Sequence, residues 1–122
     1  MLPEPSQQIA GVWRRWDPVG TAVPLVLDSP HSGTDYPPDF GHVAPLALLR
    51  RSEDTHVEAL FGDAPAYGAT LLGALFPRSY IDANRALSDL DPDMLDGAWP
   101  EPLSPGQKTA LGIGHGRLDL LR

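Results

Sequence analysis

The 122-residue chain is long enough for one domain with a single core, and its 42% hydrophobic and 20% charged residues exclude a disordered polypeptide. Its formal charge of −7, from 16 acidic and 9 basic residues with no cluster of Lys or Arg, disfavours nucleic acid and anionic membrane surfaces as partners, although one or two local arginines suffice to hold a small anion. With no cysteine, disulfides and thiolate metal sites are excluded, and any zinc must be held by histidine and carboxylate.

In chain order, Trp13, Trp16 and the Arg14–Arg15 pair lie in a proline- and glycine-bounded start that predicts a short strand over Gly11–Trp16. The apolar run Pro24–Ser29, limited by Pro24 and Pro30, predicts a buried strand. The following stretch, His31 to Pro38, is built of turn formers and leaves the carboxyl end of that strand, where open α/β sheets place ligands. Residues 45–51 suggest one or two helical turns. From Ser52, a candidate cap, Val57, Leu60, Phe61 and Ala64 fall at helical spacing, with Pro65 and Gly68 closing the segment. Thr70–Phe76 and Arg78–Ala83 read as two strands separated by Pro77. Residues 88–106, with five acidic residues and four prolines, predict an exposed loop with one turn of helix, and a last short helix is expected near Pro105. Strand, helix and strand in succession indicate an α/β architecture within one domain over 1–122. The N-terminus lacks a basic region followed by an apolar run, and no segment is long enough to span a bilayer, so a cytoplasmic protein is expected.

Three groups could carry chemistry. His31, between a proline and small residues at a strand exit, is either a surface-loop histidine or a ring held with one nitrogen free for a ligand. Glu53 and Asp54 fall on the first turn of the predicted helix, where they either complement its dipole or present one carboxylate to the strand ends. Asn84 and Arg85 follow the alternating Tyr80–Ala83 run. The planar guanidinium, with the neighbouring amide, is suited to clamp a carboxylate, whereas the plainer alternative is a solvated arginine paired with Asp82 or Asp89.

Taken together and in this order, Ser29-Pro-His-Ser-Gly33 with Tyr36-Pro37, Arg50-Arg-Ser-Glu-Asp54, Phe76-Pro-Arg-Ser-Tyr-Ile-Asp-Ala-Asn-Arg85 and Leu90-Asp-Pro-Asp-Met94 resemble the N-formylglutamate amidohydrolases. The likeness covers about residues 24–114, and its specificity lies in the co-occurrence of the motifs. It implies a partial three-layer α/β/α sheet of the zinc-carboxypeptidase-like (phosphorylase/hydrolase-like) type, related to the aspartoacylases. It also implies a zinc-dependent amidohydrolase that releases formate and glutamate from N-formyl-L-glutamate, or acts on a similar N-acyl acidic amino acid. By the same resemblance His31 matches the first zinc ligand, Asp54 the carboxylate ligand with Glu53 close behind, and Asn84 and Arg85 the pair that binds the substrate carboxylate. His56 is expected to face solvent, and His42 and His115 fall outside the motifs.

The likeness breaks after Gly114. The second zinc histidine and the glutamate base of such enzymes have no counterpart here, and the ending from His115 to Arg122 does not match, which suggests a truncation or frame change. A catalytic zinc takes three protein ligands and an open position, so this chain alone is expected to be inactive. Two alternatives stand beside the enzyme: a non-catalytic fragment that self-associates through an exposed sheet edge, and a small module that binds an anionic metabolite through Arg85.

Overall fold

A computed structural model describes residues 2–110, in the element order β1 (Gln7–Ile9), β2 (Trp13–Trp16), β3 (Val26–Ser29), α1 (Leu46–Leu49), α2 (Val57–Leu60), β4 (Thr70–Ala74) and α3 (Gln107–Ala110). The expectations for His115 and for the divergence after Gly114 lie outside those residues. Among the described residues no helix is long and apolar enough to cross a membrane.

The strands form one mixed sheet in the order β1-β2-β4-β3. β1 and β2 make an antiparallel hairpin, with Gln7 opposite Arg15 and Ile9 opposite Trp13. β2 runs antiparallel to β4, and β3 runs parallel to β4, with Leu27 beside Leu71 and Ser29 beside Gly73. A parallel pair needs a long crossover, and residues 30–69, carrying α1 and α2, supply it. Because β3 and β4 point the same way, the loops that leave their carboxyl ends emerge on the same side of the sheet.

Alternation along the strands sorts the side chains by face. Arg14, Trp16, Leu27, Ser29, Leu71 and Gly73 share the face that α2 covers, where Trp16 and Leu71 are buried. The indole N–H of Trp16 donates to the Pro3 carbonyl at 2.8 Å, which ties the amino-terminal segment over this core.

Several expectations are corrected. The run Pro24–Ser29 forms a strand, but as an edge strand among the described residues, with Leu25 and Val26 exposed rather than buried. The helix expected from Ser52 begins only at Val57. The Ser52 hydroxyl turns back to the Leu49 carbonyl at 2.7 Å, Glu53 is extended, and the Asp54 N–H is drawn off to the His31 carbonyl at 3.0 Å, so three consecutive residues are committed elsewhere. His56, expected on the helix, precedes it in the left-handed region at φ 67°; it is exposed, as expected. The face predicted to be buried is inverted: Leu60 and Phe61 are exposed, and Glu58 is the helical residue packed on the sheet. Arg78–Ala83 is a turn rather than a strand, with the Tyr80 and Ile81 N–H groups donating to the Pro77 carbonyl. The expected turn of helix within 88–106 is a single 3-10 turn at Pro92–Met94, and the last helix starts at Gln107.

Leu71 is the most enclosed large side chain of the central strand, 1% exposed. Leu71→Ala should lower the unfolding free energy by about 2–5 kcal/mol, read as a shifted urea midpoint with unchanged slope.

Candidate active site at the carboxyl ends of the parallel strands

The loop after β3 carries His31, and the loop after β4 carries Asp82. The two segments lie against each other: Asp35 donates its N–H to the Leu75 carbonyl at 2.8 Å, and a Cβ added at Gly33 would collide with the Leu75 and Phe76 backbone. Only glycine allows this approach, and it brings the His31 ring over the turn that follows Pro77.

Asp82, with its side chain 6% exposed, is the hub. One carboxylate oxygen accepts from His31 Nε2 at 2.7 Å and from the Asn84 N–H at 3.0 Å. The other accepts from Arg78 Nη2 at 3.0 Å and lies 3.7 Å from Arg85 Nε. Burial pushes the Asp82 carboxyl upward, but the Asn84 N–H, the His31 ring and the Arg78 guanidinium outweigh it and hold the group below its ordinary value. An ionised carboxylate only accepts hydrogen bonds, so the Nε2 nitrogen is assigned the proton. That assignment turns Nδ1 toward Asp54, whose Oδ2 stands 3.3 Å away on the open side of the site.

Glu53 goes elsewhere. With the backbone extended rather than helical at this point, neighbouring side chains leave on opposite sides, and Glu53 accepts from the Tyr36 hydroxyl at 2.7 Å. Burial, together with this bond, pushes the Tyr36 phenol up to about 12. His42 lies apart, with its Nδ1 beside the Ala44 carbonyl.

Arg85 is engaged within the chain. Its Nη1 donates to Asp89 at 3.1 Å and to the buried Thr109 hydroxyl at 3.0 Å. The plainer expectation for this residue, a pairing with Asp82 or Asp89, is therefore observed, though with a side chain only 14% exposed instead of solvated. Asn84 is exposed, and its backbone rather than its amide contacts Asp82. The structure thus links His31, Asp54 and Arg85 through Asp82. Asp82 was not among the candidate site residues that the sequence marked. The signal was present, since an acid two residues before an Asn–Arg pair can turn its carboxylate back onto the chain. The alternation of Ile81 and Ala83 with polar neighbours masked it as a strand.

A mixed α/β sheet with an imidazole, several carboxylates and two guanidiniums at the carboxyl ends of its parallel strands has the anatomy of an α/β enzyme site. The family model described as N-formylglutamate amidohydrolase matches residues 23–117, and the chain belongs to that family. It is similar to an N-formylglutamate deformylase of Pseudomonas aeruginosa strain PAO1, with 34% identity over 89 residues covering 70% of this chain and 33% of that protein. It is also similar to the crystal structure of an N-formylglutamate amidohydrolase from Ralstonia eutropha JMP134, with 56% identity and a TM-score of 0.81, covering 87% of this chain and 38% of that one. The chain therefore spans about a third of the length of these relatives.

Asp89 offers a test by pH. Bonds from Thr109, the Gly106 N–H and Arg85 lower its carboxyl to about 2, against an unfolded value of about 3.9. A folded-state value below the unfolded one means that the contribution is complete above about pH 4 and is lost as pH falls toward about 2. In denaturation series between pH 2 and 5, Asp89→Asn should be less stable at pH 5 and should show a shallower acid limb.

Proposed function

We propose that this chain carries the amino-terminal part of a zinc-dependent active site that hydrolyses N-formyl-L-glutamate, or a closely similar N-acyl acidic amino acid. The observation that carries the reading is the His31 ring, fixed at Nε2 by buried Asp82 and presenting Nδ1 beside Asp54. Two donors on one tetrahedral zinc, each about 2.0–2.2 Å from the ion, stand roughly 3.4 Å apart. The separation of 3.3 Å between Nδ1 and the Asp54 carboxylate suits such a pair. A carboxylate behind the imidazole orients the ring and raises its basicity as a ligand. Asp54 is accordingly the favoured acid, and Glu53 serves Tyr36. Among the described residues no third His, Asp or Glu joins them as a metal set. The donors present fit zinc as two of the three a catalytic ion requires, and formate release by this chain alone is expected to be negligible.

When bound, zinc polarises an amide carbonyl and brings its water to a pKa of about 7. The chain's own groups set the stage for that chemistry. Asp82 keeps the proton on the far nitrogen of His31, Arg78 balances the buried carboxylate, and Asp54 adds a negative donor from the solvent side. The substrate carboxylate would approach Arg85 as a competitor of Asp89, with the exposed Asn84 amide beside it. A second reading is favoured by the bonds from Arg85 to Asp89 and Thr109, which make this arginine a structural clamp for residues 82–110. Arg85→Lys separates the two, since loss of a fork-shaped substrate contact raises KM, whereas loss of a clamp lowers stability.

A chimera in which residues 7–117, the amino-terminal hairpin included, replace their counterparts in the Ralstonia eutropha relative should release formate from N-formyl-L-glutamate. His31→Ala and Asp54→Ala should abolish both zinc retention and turnover, and Glu53→Ala should retain zinc. A folded, zinc-loaded chimera without deformylation would refute the substrate assignment, and zinc retention in both His31→Ala and Asp54→Ala would refute the ligand assignment. Asp82→Asn should weaken zinc binding by roughly 10–100-fold in chelator competition.

A further inference from the structure

On the α2-covered face of the sheet lies a second polar cluster. Glu58 is 4% exposed, although it sits on a surface helix of four residues whose apolar neighbours Leu60 and Phe61 face outward. Burying a carboxylate is costly unless it is paired and hydrogen-bonded, so this inverted orientation requires a compensating set of partners. Arg14 supplies one side: its Nε donates to Glu58 Oε2 at 2.9 Å, its Nη2 binds the same oxygen, and its guanidinium lies 5.2 Å from the centre of the buried Trp16 ring. Ser32 supplies the other, donating to Glu58 Oε1 at 3.0 Å while accepting from the Ser29 hydroxyl at 2.8 Å. Gly73 makes room, since a Cβ there would occupy the position of the carboxylate.

Ser32 is the residue after His31. The His31 ring is held by Asp82, its carbonyl by the Asp54 N–H, and the next side chain by Glu58. We infer that Arg14, Glu58 and Ser32 form a positioning relay that fixes the backbone of the His31 loop, and with it the aim of the imidazole, independently of the bond from the ring to Asp82. Arg14 stands on β2, ahead of the stretch that the family model matches, so the amino-terminal hairpin contributes to the geometry of the site. None of the three touches the reacting groups. They act through the chain at residues 31–33, where a fixed hydroxyl and a close-packed glycine leave the loop little freedom.

The relay can be tested on the metal-free full chain, and with zinc on the chimera described above. Only the zinc measurement rests on the functional reading above. In metal-free protein, at a pH that keeps the ring neutral, long-range ¹⁵N spectra of the His31 ring should show a single Nε2-protonated tautomer. Ser32→Ala, which removes one hydroxyl, and Glu58→Ala should each give mixed tautomers and about tenfold weaker zinc binding. The double variant should be no worse than either alone, as expected of residues acting in series. Glu58→Gln has one acceptor oxygen where the carboxylate has two, so it cannot serve both Ser32 and Arg14 and should also give mixed tautomers. Wild-type tautomer and zinc affinity in folded Ser32→Ala would overturn the relay, as would additive losses in the double variant. Should Glu58→Ala fail to fold, Ser32→Ala and Gly73→Ala, whose Cβ displaces the carboxylate oxygen that accepts from Ser32, decide the question by the same spectra, mixed tautomers supporting the relay and an unchanged tautomer overturning it. Absence of zinc binding in the wild-type chimera would count against the functional reading and leave the tautomer result standing.

Discussion

The carboxylate of Asp82 joins the two loops that the parallel strands β3 and β4 deliver to one side of the sheet. An ionised group at this depth is tolerated only with its lone pairs satisfied, and here an imidazole, a backbone N–H and two guanidiniums surround it. The same bonds that make the charge tolerable orient the His31 ring and leave its second nitrogen facing Asp54. A change at Asp82 reaches His31, Arg78, Asn84 and Arg85 directly, and Asp54 through His31.

The Glu58 cluster repeats this logic on the other flank of the His31 loop. A buried acid, an arginine from the hairpin and a serine from the loop fill the space that Gly73 leaves beside the central strand. Two buried carboxylates thus hold this loop, Asp82 in direct contact with the His31 ring and Glu58 through the neighbouring Ser32. The hairpin, which pairs with β4 through β2, reaches the His31 loop by this route, and its Val12 carbonyl also accepts from the N–H of Leu75, whose own carbonyl accepts from Asp35.

Much of the layout was legible along the chain. Proline-bounded apolar runs located β3, and the Thr70–Phe76 run located β4, because strand formation responds to residues within a few positions. The sequence did not reveal that Leu60 and Phe61 would face outward. Periodicity marks an apolar stripe but not which side of the helix meets the sheet, and at α2 the ion pair of Glu58 with Arg14, 44 residues away, decides that orientation. Similarly, Arg78–Ala83 had strand-like alternation, yet the demand of Asp82 for the Asn84 N–H and the bonding of Tyr80 and Ile81 to Pro77 turned it into a loop.

By itself the sequence determined the α/β character, the absence of thiolate ligands and the short list of chemical groups at 31, 53, 54, 84 and 85, since these depend on residue identity and local order. Only the tertiary structure decided which acid stands beside His31, that Asp82 lies behind the ring, and that Arg85 is engaged by Asp89 and Thr109. The reason is physical. Hydrogen bonds and ion pairs act over a few ångströms, and residues as far apart in sequence as 31 and 82 come within that range only after β3 and β4 have paired.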